Sequence, residues 1–232
     1  QRALELLGEL GLNSIQVSVI VATICMALSF VLFSSLRRFP QTFNRIVVGG
    51  SGLGYSIPGT VIAIGCLSPI FFLEETVAIW LLKLNGHDIG LWLTGSIAGI
   101  VFGCVCRFVA VSNGMIRSGY ERIPLALDDA SLVLGRGPVK TLCNVHLPLL
   151  SSSILIALLM VFVDAMKELP ITLVLRPFNF DTLAVRVYQL ASDERLDEAA
   201  ASALAIIFVG LIPVIILSKH VFSNSVKNSN SR

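Results

Sequence analysis

Charged residues are scarce in this chain. Asp, Glu, Lys and Arg make up 14% of its 232 residues, whereas hydrophobic residues make up 55%. The mean hydropathy of +0.84 is a value that a soluble globular domain of this length would hardly tolerate. The composition therefore predicts an integral membrane protein, and the net charge of only +2 at pH 7 gives no indication of a nucleic-acid partner.

Motifs for nucleotide binding, metal binding and catalysis are also missing. The sequence contains no Gly-x-x-x-x-Gly-Lys-Ser/Thr, so we do not expect this chain to bind or hydrolyse ATP by itself. It has no CxxC pair, and His87, His146 and His220 are far apart, so no metal site is predicted. The absence of HExxH, GxSxG and paired intramembrane aspartates excludes the familiar membrane-embedded enzymes.

Long apolar runs dominate the chain instead. Five of them have membrane-spanning quality, at about 15–36, 55–73, 91–111, 152–166 and 200–217. A helix needs about 20 apolar residues to cross the hydrocarbon core, so the shorter runs must extend into their flanks or tilt. We predict an all-α, polytopic transmembrane bundle with about five spans, which forms a single domain over residues 1–232.

Basic residues are distributed unequally between alternate loops. One set of loops has only three acidic residues and contains Arg37, Arg38, Arg45, Arg107, Arg117, Arg122, Arg136, Lys140, Lys219, Lys227 and Arg232. The other set has six basic and twelve acidic residues. Because cytoplasmic loops carry the excess of Lys and Arg, the first set is predicted to be cytoplasmic. This places the N-terminus of the chain outside and its C-terminus in the cytoplasm.

A polar segment separates the third and fourth apolar runs, on the predicted cytoplasmic side. It resembles the EAA loop of ABC importer permeases, with Asp in place of Glu, Ser in place of Ala and Val in place of Ile. The matching pattern is Asp129-Ala130-Ser131, three residues, Gly135, nine residues, and Val145-His146-Leu147-Pro148. The resemblance implies that residues 127–148 form two short helices, broken at the glycine, which dock on a cytoplasmic ATPase subunit.

The residue types suit such a coupling segment. Small Ala130 and Ser131 allow close helix approach, Gly135 permits a sharp backbone turn, and Pro148 fits the first turn of the next span. With Asp129, Val145 and Leu147 they are the candidate coupling residues. The alternative is an ordinary cytosolic loop with the same spacing.

A second resemblance indicates the substrate. The run KELPITLVLRPFNFDTLAVRVYQLASDERL is similar to the second half of ferric-iron ABC importer permeases, and the likeness extends over roughly residues 15–218. It implies the type I ABC importer permease fold and a chain that is the C-terminal half, or a fragment, of a longer permease. Permeases for thiamine, polyamines or sulfate share this architecture and remain alternatives, as does a secondary transporter that needs no ATPase.

The resemblance also implies the partners. ATP and Mg²⁺ would be used by separate ABC ATPase subunits, and this chain would bind no cofactor. A periplasmic or external binding protein would deliver the substrate. A second permease half or a second copy of the chain would complete the path in the lipid of the cell inner membrane.

Three charges mark the outer end of the fourth apolar run. Asp164, Lys167 and Glu168 stand three and four residues apart and would stack on one helical face. Since charges within spans usually face a pathway or a partner, we expect them to line the outer mouth of the path. The alternative is a helix end whose charges reach water by snorkelling. Residues 167–199 are predicted to form an external loop, either touching a binding protein or merely solvated.

Glycines recur in the third apolar run. Gly95, Gly99 and Gly103 form two overlapping GxxxG patterns, which predict a face for close helix packing. The alternative is that glycine is simply frequent in membrane helices.

Overall fold

The computed structural model describes residues 2–39, 41–85 and 93–229. No strand occurs in these ranges, which confirms the all-α prediction. The helices are α1 (Arg2–Arg38), α2 (Thr42–Ser51), α3 (Gly59–Asn85), α4 (Ile97–Glu121), α5 (Ala126–Val133), α6 (Pro138–Thr141), α7 (Leu147–Leu149), α8 (Ser151–Met166), α9 (Pro170–Leu175), α10 (Leu183–Ser192) and α11 (Leu196–Ser229). A 3₁₀ turn (Leu53–Ser56) precedes α3, and a π-helical turn (Leu142–His146) joins α6 to α7.

Three helices in the described ranges are long and apolar enough to cross a membrane, at Glu5–Arg38, Gly59–Trp80 and Ile97–Glu121. The segments Pro138–Leu149 and Ser151–Met166 meet the same criteria as a pair, with a bend of 71° between them. The fifth predicted run, 200–217, lies within α11. Helices α1 and α11 extend beyond the predicted runs at both ends, because helical geometry continues into polar flanks that apolar patterning does not register. Helix α4 instead begins at Ile97 and not at the predicted residue 91, because Ser96 caps it.

The bundle is built around α1, α4 and α8. Val21 of α1, Ile100 of α4 and Val161 of α8 are fully buried and belong to one apolar cluster. Gly119 allows α4 to approach the start of α8 closely, since a Cβ built there would lie 2.5 Å from Ser153 Oγ and 2.6 Å from a methyl carbon of Leu150. Helices that pack this closely gain van der Waals contacts, which drive association in lipid.

Two chain segments run alongside α4, and each is interrupted at the level of the middle of that helix. The first consists of α2, the 3₁₀ turn and α3. Asn113 of α4 donates a hydrogen bond of 2.7 Å to Ser51 at the end of α2, whereas Gly59, at the start of α3, faces the guanidinium of Arg107. The predicted start of the second span at Tyr55 therefore needs correction, because Tyr55 lies in the 3₁₀ turn and the helix begins at Gly59.

The second interrupted segment consists of α8 and α9, with a break after Met166. Beyond the break, Ile171 and Leu175 of α9 pack against Gly103, and a Cβ built on Gly103 would lie 2.8 Å from atoms of both. Residues 170–175 therefore pack within the bundle instead of forming part of an external loop over 167–199.

The three glycines of the overlapping GxxxG patterns do not all lie in the same helix. Gly99 and Gly103 lie buried in α4, facing α9. Gly95 lies in the turn before α4 and does not share their helical face. The proposed three-glycine face is thus wrong at its first member, because Ser96 caps the helix by accepting a hydrogen bond from the N–H of Ala98 at 3.2 Å.

Candidate functional site

The polar segment between α4 and α8 folds as two short helices joined at a left-handed glycine. Helix α5 ends at Val133 and α6 begins at Pro138. Gly135 between them has a φ of +70°, a conformation that side-chain-bearing residues adopt at an energetic penalty. This is the arrangement that the resemblance to EAA loops implies.

A cluster of polar side chains fixes α5 to the bundle. One carboxylate oxygen of Asp128 accepts a hydrogen bond from Arg37 Nε at 2.6 Å, and the other lies 2.6 Å from His146 Nε2. Arg37 is the penultimate residue of α1, and His146 lies in the π-helical turn before α7. Asp128 therefore links α5 to both neighbours, and we refer to Arg37, Tyr120, Asp128 and His146 as the latch.

The remaining latch contacts reach the end of α4. Arg37 donates through its two terminal nitrogens to the carbonyl oxygens of Tyr120, at 3.1 Å, and Pro124, at 3.0 Å. The Tyr120 ring meets the His146 ring edge to face, with centroids 5.4 Å apart, and its hydroxyl lies 2.6 Å from that of Ser34 in α1. Each of the three guanidinium nitrogens of Arg37 thus donates a hydrogen bond, as its planar fork of donors allows.

The electrostatics of the latch favour the ionised carboxylate. Partial burial alone would raise the pKa of Asp128, but the hydrogen bonds and charges of Arg37 and His146 outweigh it and lower the pKa below its usual range. Asp128 therefore carries a negative charge at neutral pH.

A second contact joins the two short helices to each other. The hydroxyls of Ser131 in α5 and Thr141 in α6 lie 2.7 Å apart, and both residues are buried. Ser131, one of the predicted coupling residues, thus closes the hairpin that Gly135 turns.

The tip of this hairpin is apolar and exposed. Its side chains retain much of their accessible surface, at 61% for Leu132, 88% for Val133, 75% for Leu134 and 70% for Val139. We call these four residues the docking patch. Asp129 and Ala130 beside it are also exposed.

The other predicted coupling residues lie at the return into the bundle. Val145 is half-buried in the π-helical turn, whereas Leu147 and Pro148 are exposed in α7. Asp128, Arg37 and His146 were missed as site residues. The adjacent acids Asp128 and Asp129 were the available signal, but the sequence does not show which of the two turns inward.

The three predicted pathway charges do not share one helical face, because α8 ends at Met166. Lys167 forms an ion pair of 2.8 Å with Asp164 and keeps 63% of its side-chain surface exposed. Glu168 turns away from them toward α4, where both its carboxylate oxygens lie 3.0 Å from one terminal nitrogen of Arg107. Arg107, assigned from the sequence to a cytoplasmic loop, is therefore an interior residue near the middle of α4, and that assignment was wrong.

The end of the bundle opposite the latch carries the connection between α9 and α10. Phe178 at its tip is fully exposed, and the connection is held by an Arg176–Asp181 ion pair. The side chain of Asn13 in α1 donates to the carbonyl of Asp181 at 3.1 Å. Within the described ranges, no group of three or more His, Cys, Asp and Glu side chains is placed to hold a metal ion.

Comparison with protein-family models gave no match. The chain is similar to the "Fe(3+)-transport system permease protein FbpB 2" of Haemophilus influenzae, with 27% identity over 123 residues, which cover 53% of this chain and 24% of that protein. It thus spans about a quarter of the length of that relative. It is also similar to the "Putative ABC transporter permease protein ORF1" of Streptomyces antibioticus, with 24% identity over 208 residues, 89% of this chain and 82% of that protein.

Among solved structures, the fold is similar to that of a bacterial ABC transporter involved in the import of the acidic polysaccharide alginate. The TM-score is 0.60 at 14% sequence identity, and the match covers 95% of this chain and 80% of that one. At this identity the likeness shows the fold alone. Together with the sequence relatives it confirms the resemblance to ABC transporter permeases and the polytopic helical fold of a multi-pass membrane protein.

Proposed function

We propose that this chain is a permease domain of an ATP-driven ABC importer, in which the segment 127–148 docks on an ATPase subunit. The observation that carries the proposal is the docking patch, an exposed apolar tip on a hairpin that the latch holds firmly against the bundle. Contiguous exposed apolar side chains with a polar surround are typical of protein interaction sites. Asp129, Arg136 and Lys140 supply that polar surround.

A rigid attachment is what such a segment needs. A docking element transmits motion only if its link to the spans resists the applied load. Here α5 is tied through Asp128 to the ends of α1 and α7, and through Ser131 to α6. The ATP and Mg²⁺ would belong to the partner ATPase, and this chain would contribute the path and the coupling.

We further propose ferric iron as the substrate. The name of the Haemophilus influenzae relative supports this choice, as does the likeness of the 167–196 run to ferric-iron permeases. A substrate-binding protein would dock at the end that bears Phe178, outside the cell inner membrane, and the latch end would face the cytoplasm. A second permease half, or a second copy of this chain, would complete the path.

The proposal is tested by ATP-dependent uptake of radioactive ferric iron into vesicles that contain the complete system. Val133→Asp should abolish uptake, because a charge at an apolar docking position cannot be desolvated without penalty. Asp129→Arg should reduce it by reversing the charge beside the patch. Neither residue is buried, so both variants should reach the membrane in normal amounts.

Glu121→Gln is the matched control. Glu121 lies at the same end of the bundle but off the docking patch, and its surface ion pair with Arg117 contributes little. Uptake by Val133→Asp at the unaltered rate would overturn the coupling role. Iron uptake that persists without any ATPase would instead favour a secondary transporter, and failure to import iron with intact ATPase coupling would favour thiamine, polyamine or sulfate.

A further inference from the structure

Both interrupted segments break at the same height along α4. Cys25 Sγ, near the middle of α1, lies 4.0 Å from the carbonyl oxygen of Val105 in α4, so this part of α4 is central in the bundle. The first break, at 52–58, faces Cys106 and Arg107. The second, at 167–169, brings Glu168 to Arg107. Interrupted helices that meet at mid-depth are a common construction of transport sites.

The chain at the first break packs tightly against α4 and against one side of the ion pair. A Cβ on Gly54 would collide with the carbonyl oxygen of Cys106. One on Gly59 would collide with the Arg107 guanidinium and lie 3.1 Å from a Glu168 carboxylate oxygen. Gly54 thus leaves no room for a side chain against the backbone of α4, and Gly59 leaves none against the two charged groups.

The second break supplies the acidic partner and orients it. Glu168 is only 6% exposed, and its Oε1 also accepts the N–H of Ile171 at 3.2 Å, which caps the start of α9. Any movement of the break therefore moves this carboxylate with it.

The geometry of the Arg107–Glu168 ion pair is not the geometry expected of a pair that only stabilises the fold. Arg107 contacts Glu168 through one terminal nitrogen only, and its buried Nε has no hydrogen-bond partner among the described residues. Strong Arg–carboxylate pairs are frequently bidentate, with two guanidinium nitrogens donating in parallel. Buried ion pairs are also often replaceable by apolar side chains without loss of stability, and charges within spans usually mark pathways.

We propose that the Arg107–Glu168 ion pair is the closed gate of the translocation path, at which the two chain breaks seal against α4. This inference rests on the proposed transport function and adds to it the position of the gate. Opening requires the break at 167–169 to leave α4, which separates the two charges and admits water between them.

The first test measures passive influx of Co²⁺ into liposomes that hold the assembled transporter and trapped calcein, without ATP or binding protein. Glu168→Gln removes the charge that holds Arg107 and should raise Co²⁺ influx roughly tenfold or more. The swapped pair, Arg107→Glu with Glu168→Arg, should restore the seal. Arg117→Gln is the control, since that side chain is largely exposed and its ion pair with Glu121 lies near the end of α4, away from the gate, and it should stay as tight as the unaltered protein.

A Glu168→Gln transporter that assembles normally and remains sealed overturns the gate. This result does not depend on the proposed function, which fails separately if the unaltered system imports no ferric iron with ATP. A Glu168→Gln leak that the swapped pair does not reduce also overturns it, because the seal would then not depend on the ion pair.

A cross-linking test distinguishes a gate, which must move, from a static structural contact, and it leaves the residues of the ion pair unaltered. Gly103→Cys with Ile171→Cys, in a background with the native cysteines replaced, joins α9 to α4 where their atoms already meet. Oxidation should block import and reduction should restore it. Ile171→Cys alone in the same background, which cannot form the cross-link, is the control that should import in both states. Undiminished import by the oxidised 103–171 protein, or equal block in both proteins, overturns the assignment.

Discussion

Asp128 and Asp129 are adjacent acidic residues with opposite surroundings, so one substitution at each separates attachment of the hairpin from its docking. Asp128→Asn removes the charge that faces Arg37 and His146 and keeps nearly the same side-chain volume. Asp129→Asn makes the same chemical change at an exposed position, whose side chain has no hydrogen bond or ion pair among the described residues.

The expected loss at Asp128 follows from its contacts. Each hydrogen bond to a charged group contributes about 1.5–3 kcal/mol, and breaking a fully buried pair costs about 3–5 kcal/mol. Asp128 keeps 23% of its side-chain surface exposed, so solvent screening reduces the upper figure. We expect Asp128→Asn to destabilise the attached hairpin by about 2 kcal/mol, which is about 30-fold in the attachment equilibrium.

The assay is hydrogen exchange of residues 126–149 in the detergent-solubilised complex, compared with exchange in α4. Asp128→Asn should speed exchange in the hairpin by about 30-fold and leave the middle of α4 unchanged. Asp129→Asn should remain within about 0.5 kcal/mol of the unaltered protein, as surface substitutions usually do. Equal exchange in the two variants would refute the reasoning, because it would show that Asp128 does not hold α5.

The lowered pKa of Asp128 stabilises the fold above the ordinary carboxyl pKa of about 3.9 and ceases to do so as the pH falls through the folded value. The difference in Tm between the unaltered protein and Asp128→Asn should therefore shrink as the pH falls below about 4. Gly119→Ala should lower the free energy of unfolding by about 1–3 kcal/mol, since the added Cβ meets Ser153 and Leu150. Gly114→Ala should leave stability unchanged, because a Cβ there has no neighbouring atom within 4 Å. Thermal denaturation measures both variants. Phe178→Ala should weaken stimulation of ATP hydrolysis by the binding protein without changing Tm, because its side chain is fully exposed, and unchanged stimulation would exclude it from that interface.

The sequence was informative wherever one local property decided the structure. Apolar runs of sufficient length predicted the helices of the spans, since a chain in lipid must satisfy its backbone hydrogen bonds internally. Spacing located the hairpin of α5 and α6, and Gly135 marked its turn because a positive φ there favours glycine. These features depend on residues close together in the chain.

The features that were missed depend on distant residues. Arg37 and Asp128 are 91 positions apart, and Arg107 and Glu168 are 61 apart. Counting basic residues by loop placed Arg107 with the cytoplasmic charges, because that rule has no means of recognising a buried partner. The predicted run 152–166 ended where α8 ends, but the return of α9 against α4 was missed, because no local pattern shows that Ile171 and Leu175 pack on Gly103.

The latch and the Arg107–Glu168 pair lie at opposite ends of one short helix. Helix α8 has 16 residues and is therefore about 24 Å long. It starts one residue after α7, at a bend of 71°, and it ends at the break that carries Glu168. A rotation of α8 about its first turn by about 10° would move its far end by about 4 Å over that length, more than the 3.0 Å that separates the paired charges. A modest movement of the docked hairpin can thus separate Arg107 from Glu168 while α4 and α8 remain helical. Packed helix interfaces change between discrete arrangements instead of deforming continuously.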